Sequence, residues 1–494
     1  MRDVLPDIIA QNQGAFVHSR SIAHNIMVCQ DIIKGYERKH SAAGCLIKLD
    51  LQKAYDTVDW NFMEEMLVGL KFPSHFVHLI MQCVRSPRFS LSINGSLHGF
   101  FEGKRGLRQG DPFSPLLFVL CVEYLSRILT IVGEKEGFHF HPRCKKTKLT
   151  HLCFADDIIL CCKGEFKSVN LLMQGFKLFS ATTGLQASAA KTSVYCSGMP
   201  DQEVKRVLDM TGFAHGTFPF RYLGIPICSK RISIAECYKL VERMCIRIKS
   251  WSAKFLSFAG RLTLVSSVLM ALQNYWAQIM ILPKSMFKVV NSICRSFLWK
   301  GTADSSVPGK VAWSTVCKSK NEGGLGLTNL RMWNIAAMGK HVWLIAKKKK
   351  NIWVQWIHSV YLKGKSWWDY SPKNDDSWYW MAIFQIKELM KQHITENQLM
   401  AISKYSIKGA YLKLVGSAPV HYWTNAIWGR LGHPKHRFII WLALLGRLNT
   451  KDRLMKIGVT TDSTCLWCGI AVEDHRHLFS GCLFSVRCWQ QIGS

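Results

Sequence analysis

Leu149-Thr-His-Leu-Cys-Phe-Ala-Asp156-Asp157-Ile-Ile-Leu-Cys-Cys162 sets two adjacent acids inside an otherwise apolar run. Apolar segments of strand length on both sides of a short break predict a hairpin with the acids at its tip. Like charges side by side in a buried hairpin are costly unless a cation neutralises them. A second segment, Cys45-Leu-Ile-Lys-Leu-Asp50-Leu51, reads as a strand with Cys45, Ile47 and Leu49 on one face and Lys48 and Asp50 on the other. Asp50 then stands at the exit of a buried strand. Lys53 to Leu70 carries a helical pattern, with Asp59 as a cap and Phe62, Met66 and Leu70 on one face.

Strand ends that present carboxylates suit hard cations. Nucleotidyl transfer needs such oxygens from more than one element, because two Mg²⁺ ions activate the attacking 3′-oxygen and stabilise the leaving group. Asp50 and Asp156 are the expected bridging ligands, with Asp157 beside them; taken alone, the acid pair reads more readily as a solvated turn. Between these segments, Gly106-Leu-Arg-Gln109-Gly110-Asp111-Pro112-Phe-Ser-Pro115 is a turn leading into an apolar helix from Leu116 to about Leu129. Its glycines permit close backbone approach, and a helix start behind Arg108 and Gln109 can meet phosphate or a base edge.

The rest of the composition fits a polyanionic partner. The 494 residues carry a formal net charge of +31, beyond what solubility requires, so lysines and arginines that neutralise phosphates are expected. An anionic membrane is the competing reading, but the Lys347 to Lys350 run lacks a sustained basic amphipathic helix around it. One uncharged window, Leu262 to Pro283, is long enough to span a bilayer; Ser266, Ser267, Gln273, Asn274 and Gln278 make it a buried helix instead, and no membrane partner is expected. The N-terminus MRDVLPDIIA has no apolar signal core, so the 18 cysteines are expected as free thiols in a reducing, intracellular compartment.

In chain order, the segments KLDLQKAYD (48–56), GLRQGDPFSP (106–115), FADD (154–157), GLQASAAKTSV (184–194) and FRYLGIPI (220–227) resemble the successive palm motifs of reverse transcriptases, most closely those of plant LINE-type non-LTR retrotransposons. NQGAFVHSRSIAHNI (12–26) resembles the fingers region before that palm. The resemblance implies an α+β right-hand polymerase and gives roles to individual residues. Asp50, Asp156 and Asp157 become the catalytic carboxylates, with the Leu51 carbonyl as a further metal ligand. Tyr55 becomes the steric gate against a 2′-hydroxyl, Gln109 a template and nucleotide contact, and Gly110 the point of close approach to the base pair. Lys191 becomes the donor that protonates the departing pyrophosphate, and Arg20 a phosphate contact near the incoming strand. Asp56 puts a second acid near Asp50, as RNA-dependent RNA polymerases also do, whereas Tyr55 and FADD favour DNA synthesis.

At the other end, Cys465-Leu-Trp-Cys468 followed by His475, His477 and Cys482 spaces ligands for a tetrahedral zinc site, taken as Cys465, Cys468, His477 and Cys482. Four protein ligands leave no open position, so one structural Zn²⁺ is expected. This tail, with WGRLGHPKHRFIIWLALLGRLNTKDRL (428–454) before it, resembles the zinc-binding domain that follows the polymerase in plant retroelements. Arg430, Lys435, His436 and Arg437 supply a basic patch.

The expected organisation is a fingers remnant and palm over 1–227, a helical thumb-like region over 228–300, a Trp-rich connector over 301–418 and the zinc domain over 419–494. The connector's tryptophans, Trp367, Trp368, Trp378 and Trp380, read as core rather than base-stacking platforms. By resemblance the chain copies an RNA template into DNA, extending a DNA primer or nicked target with dNTPs in the nucleus; no protein partner is specified. The resemblance also implies a shortened fingers region upstream and neither an endonuclease nor a ribonuclease H. That shortening leaves a second function open, a nucleic-acid-binding remnant without turnover.

Overall fold

The computed structural model describes residues 1–251, 256–303, 308–429 and 432–493. They form two compact units: residues 1–232, 278–280 and 338–406 in the first, and residues 233–277, 281–337 and 407–494 in the second.

Among the described residues nine strands occur in chain order: β1 (Gly44–Asp50), β2 (Arg88–Ile93), β3 (Ser96–Glu102), β4 (His151–Phe154), β5 (Asp157–Lys163), β6 (Ser193–Ser197), β7 (Ala214–His215), β8 (Phe220–Tyr222) and β9 (Ile225–Ile227). Five of them make the central sheet of the first unit, in the order β4-β5-β1-β6-β7. β1 runs antiparallel to both β5 and β6, and only β6 and β7 are parallel. The alternation read from the sequence holds: Cys45, Ile47 and Leu49 of β1 and Ile158, Leu160 and Cys162 of β5 share one core with Leu117, Leu120, Leu125, Val169, Leu172 and Phe179. These last residues come from the helices Ser114–Glu134 and Phe166–Thr183. Helix Ser114–Glu134 is the one described helix long and apolar enough to cross a membrane, and its apolar side chains are spent beneath the sheet.

Leu46, Ile159 and Cys161, on the opposite face, are buried as well. Helix Ile22–Ile32 packs there against β4 and β9, and in turn against helices Ile352–Ile357 and Trp378–Lys391. Residues 338–406 therefore belong to the sheet unit, which corrects the expectation of a separate connector over 301–418. The physical reason is a shared core. Trp353, Trp356 and Trp380 are among the largest fully buried side chains, and the Trp380 ring stacks on Tyr361 at 4.8 Å. Even the lysine interleaved with them is internal: Lys387 is fully buried, lies 4.8 Å over the Trp367 ring and donates to the carbonyls of Trp367, Trp368 and Tyr370.

A buried carboxylate ties this segment to helix Ile22–Ile32. Asp31 accepts from Arg143 Nη2 at 2.6 Å, Trp356 Nε1 at 2.6 Å and the Tyr361 hydroxyl at 2.5 Å. Burial alone would raise its pKa, but Arg143 and the three hydrogen bonds from Ser377, Tyr361 and Trp356 hold it below the usual carboxylate range. Removing one partner of a buried pair strands the other charge, which costs about 3–5 kcal/mol. Asp31→Ala is therefore expected to lower the first unit's stability by about 3 kcal/mol or more, read as a fall in the urea midpoint. A change within about 0.5 kcal/mol, the level of an ordinary surface substitution, would show that the network holds nothing together.

In the second unit, helix Ile234–Ser250 starts in a capping box formed by Ser233 and Glu236 and buries Leu240, Val241, Met244 and Ile248, as the three- and four-residue spacing predicts. It packs on helix Lys284–Lys300. The window Leu262–Pro283 departs from expectation, because it is not one helix. Helix Phe258–Leu264 runs into a π turn at Val265–Leu269, followed by short turns at Met270–Leu272 and Asn274–Ala277. Ser266 and Ser267 both return their hydroxyls to the Thr263 carbonyl, at 3.0 and 2.7 Å, and such back-bonding distorts helices. The Phe258 ring stacks on Phe438 of helix Pro434–Leu444 at 5.2 Å, and Trp441 donates to the Gly323 carbonyl at 2.9 Å. The residues before the zinc knuckle thus share a core with residues 258–337, across the boundary expected at 418/419.

Candidate active site and zinc module

β1 and β5 are paired so that Asp50 lies directly opposite Asp157. β4 and β5 close as a tight hairpin: Phe154 pairs with Asp157, leaving Ala155 and Asp156 as the two-residue turn. A turn this tight between antiparallel strands asks for a positive φ at its first position, where glycine is usual. Ala155 takes that conformation at φ +54°, a local strain on the order of 1 kcal/mol. Gln13 secures it, since its buried Oε1 accepts the N–H of Ala155 at 3.1 Å and of Ala15 at 3.0 Å. Asn25 adds a hydrogen bond to the Cys153 carbonyl at 2.7 Å. Sequence reasoning missed Gln13 and Asn25 as positioning residues; their signal was a set of polar side chains in a stretch that folds into the core.

Three carboxylates therefore meet at one end of the sheet. Burial raises the Asp157 pKa, the charges of Asp156 and Asp50 raise it further, and Lys48 opposes them. Such crowding fits a cation, and the donors are hard oxygens. The backbone around Leu51 is pinned by Ser188 N–H to the Asp50 carbonyl and by Gln52 N–H to the Gln186 carbonyl, both at 2.8 Å. The same 184–194 segment brings Lys191 Nζ to 3.8 Å from Asp50 Oδ1, with most of the lysine side chain in solvent.

Tyr55 follows a left-handed turn at Lys53, and its ring stacks on Phe118 at 4.7 Å. Burial and then the charge of Asp156 raise its hydroxyl pKa. The Tyr55 carbonyl accepts Leu107 N–H at 2.6 Å, and Gly106 N–H bonds to the Val58 carbonyl at 2.8 Å. The turn carrying Gln109 is thereby stitched to the element carrying Tyr55. Gly106 has no substitute there: at φ +87° its Cβ would lie 2.7 Å from the Asp56 carbonyl oxygen. Gly110, at φ +89°, differs, with no atom beyond its chain neighbours within 4 Å of a Cβ, so it faces open space next to exposed Gln109. Asp111 falls below the usual carboxylate range through hydrogen bonds from Arg108 and from Phe113 N–H.

Arg20 is corrected. Its guanidinium donates to the carbonyls of Ala10, Gln13, Ile9 and Pro6, so it organises the 6–13 turn and its terminal nitrogens are already engaged. The basic patch is only partly visible: Lys435 and His436 are exposed near the start of helix Pro434–Leu444, whereas Arg430 lies outside the described residues.

In the second unit, ligand atoms of Cys465, Cys468, His477 and Cys482 all fall within 4.8 Å of one another. A tetrahedral site with bonds of about 2.0–2.3 Å needs separations of about 3.5–4 Å, so the donor set fits one Zn²⁺ after a small contraction. The knuckle is closed by Cys465 N–H to the Ala471 carbonyl and Gly469 N–H to the Cys465 carbonyl. Hydrogen bonds from the backbone N–H groups of Ala471 and Ile470 help pull the Cys468 thiol down to about 6, which favours the ligating thiolate. His475 is occupied elsewhere, accepting Leu448 N–H at 3.0 Å.

Residues 1–227 match the family model described as reverse transcriptase (RNA-dependent DNA polymerase), and residues 405–489 match the one described as zinc-binding in reverse transcriptase. A 149 kDa protein of transposon TX1 from Xenopus laevis is 25% identical over 61% of this chain and 23% of its own. The Pol polyprotein from the type-2 retrotransposable element R2DM of Drosophila melanogaster is 28% identical over 43% of this chain and 20% of its own. An uncharacterized mitochondrial protein of Arabidopsis thaliana is 42% identical over 13% of this chain and 54% of its own. The chain thus spans about a quarter or less of the length of these two transposon proteins. Over residues 1–227 the chain belongs to the reverse transcriptase (RNA-dependent DNA polymerase) family, and over residues 405–489 it carries the zinc-binding domain of reverse transcriptases, with relatives among the proteins of non-LTR retrotransposons.

Proposed function

We propose that this chain extends a DNA primer 3′-hydroxyl with dNTPs on an RNA template, as the polymerase of a non-LTR retrotransposon. The observation that carries this reading is the cross-strand pairing of Asp50 with Asp157, with Asp156 at the adjoining turn. The sheet is then the palm, residues before β1 a part of the fingers, and residues 233–300 the thumb. Asp50, Asp156 and the Leu51 carbonyl would hold divalent cations, and Asp157 would orient the site. Two Mg²⁺ ions, when bound, supply activation of the 3′-oxygen and neutralisation of the leaving pyrophosphate. Lys191, beside Asp50 and open to solvent, would give a proton to that leaving group. Gln109 and the open backbone at Gly110 would meet the templating base pair. The four soft ligands near the C-terminus would hold one Zn²⁺ in a structural role.

The Tyr55 ring, braced by Phe118, would occupy the space beneath the sugar and clash with a 2′-hydroxyl. Tyr55→Val should raise ribonucleotide incorporation relative to deoxynucleotide incorporation by roughly 100-fold, with extension by dNTPs largely kept. An unchanged ratio in competition assays would remove the gate role and leave the ring as packing. The reaction itself is tested by supplying an RNA template, a DNA primer, Mg²⁺ and dNTPs. Product is expected from the wild type, and a protein that binds the primer-template without extending it would be the turnover-free remnant instead.

A further inference from the structure

The loop before β4 and residues 359–376 enclose a polar cleft of about 380 Å³ in the first unit, which no step of the proposed reaction uses. Five cationic side chains line it, Lys34, Arg143, Lys146, Lys363 and Lys373, against two acids, Asp375 and Asp376. Part of this charge is internally matched. Arg143 is held on buried Asp31 at 2.6 Å and Lys34 on Asp375 at 3.1 Å, while Asp376 accepts from the Tyr370 hydroxyl and from Lys373 N–H, both at 2.8 Å. Lys146, Lys363 and Lys373 remain, all exposed, with no acid within ion-pair distance among the described residues. The Asp31 network fixes the wall that carries them.

The cleft's position separates it from the chemistry. Arg143 is two residues past His141, whose ring packs so closely on Gly44 that a Cβ there would lie 2.6 Å from its Nε2. Gly44 starts β1 and Asp50 ends it, which at about 3.3 Å per residue makes roughly 20 Å between the two ends. A group in the cleft cannot touch the nucleotide being joined at the carboxylates. Three unmatched ammonium groups on a rigid rim suit a succession of phosphates better than a single anion.

The geometry points to this cleft as a second nucleic-acid site, taking the phosphodiester backbone of a strand roughly six nucleotides from the reacting end, at about 3.4 Å per nucleotide. It rests on the polymerase reading for the identity of that strand and for its course from the carboxylates. The test uses the full chain and fluorescence anisotropy with two single-stranded RNAs, one long enough to run from the carboxylates past the cleft and one too short to do so. Each phosphate contact on a single strand contributes about 0.7 to the salt slope, so combining Lys146→Gln, Lys363→Gln and Lys373→Gln should lower the slope by about 2 and affinity for the long RNA roughly 100-fold at 0.1 M salt. Affinity for the short RNA should not change.

A control combining Lys71→Gln, Lys135→Gln and Lys205→Gln removes the same charge from exposed positions in the same unit and should leave both RNAs bound as before. Equal losses in the control, or no loss in the cleft variant, would overturn the site. The same loss with single-stranded DNA supports it with phosphate as the recognised group, and a loss confined to RNA supports it with an added 2′-hydroxyl contact. Primer extension is read separately. A wild type that does not extend but shows this affinity pattern loses the polymerase reading and keeps the cleft; extension with no affinity difference removes the cleft alone.

Discussion

Asp156→Asn should abolish primer extension, lowering the single-turnover rate by at least about a thousandfold, or about 4 kcal/mol of transition-state stabilisation. The substitution keeps the shape of the turn and one acceptor oxygen while removing the charge, so Ala155 can hold its φ of +54° and Gln13 its hydrogen bonds. What disappears is the negative charge at the tip of the hairpin, next to Asp157, which itself pairs with Asp50 across the sheet. Asp157→Asn should cost less, on the order of tenfold to a hundredfold, if, as proposed, that group orients the site rather than bridging cations. Both variants should still bind primer-template with wild-type affinity, which separates lost chemistry from a lost fold. If both went on making product at the wild-type rate, the carboxylate assignment would be wrong.

The second large effect concerns the zinc module. Around the knuckle, Ile457, Val459, Leu466, Trp467, Ile470 and Leu483 are all exposed, whereas Cys465 and Cys482 are buried. A segment with so little apolar burial does not offset its own ordering entropy, and the proposed Zn²⁺ would supply the difference. Structural Zn²⁺ in small modules contributes about 10–16 kcal/mol of binding free energy at neutral pH, all of it coupled to folding. Cys468→Ser should therefore reduce bound zinc from about one ion per chain to near zero and make residues after about 457 protease-sensitive. The carboxylate site lies in the other compact unit, so extension on short templates should be largely retained. Wild-type protein purified without zinc and equally protease-resistant would remove the ion from the account.

Local chemistry made the site readable before the fold was known. Asp50, Asp156 and Asp157 stand where strand periodicity meets charge, and Asp59 caps its helix by accepting Phe62 N–H at 2.9 Å, both of which a few residues of sequence suffice to show. The zinc ligands are legible for the same reason, since their spacing is the information. What stayed hidden depends on partners far along the chain. Gln13 serves a turn more than a hundred positions away, and Arg20 is engaged by carbonyls whose folding back no pattern announces. Composition marked the tryptophans of 338–406 as core but could not say that their helices pack on helix Ile22–Ile32, over the other face of the central sheet. The break within Leu262–Pro283 shows the limit of hydropathy, which records that a segment is apolar and not that two serine hydroxyls compete for one carbonyl.

Whether these carboxylates form a working DNA-synthesising site is decided by the addition of a single templated dNTP to a DNA primer annealed to RNA, with Mg²⁺ present. One-nucleotide extension by the wild type is expected, dependent on the matching base and absent with Asp50→Asn or Asp156→Asn. Primer that is bound yet never extended by the wild type, or extended equally by the variants, would rule such a site out.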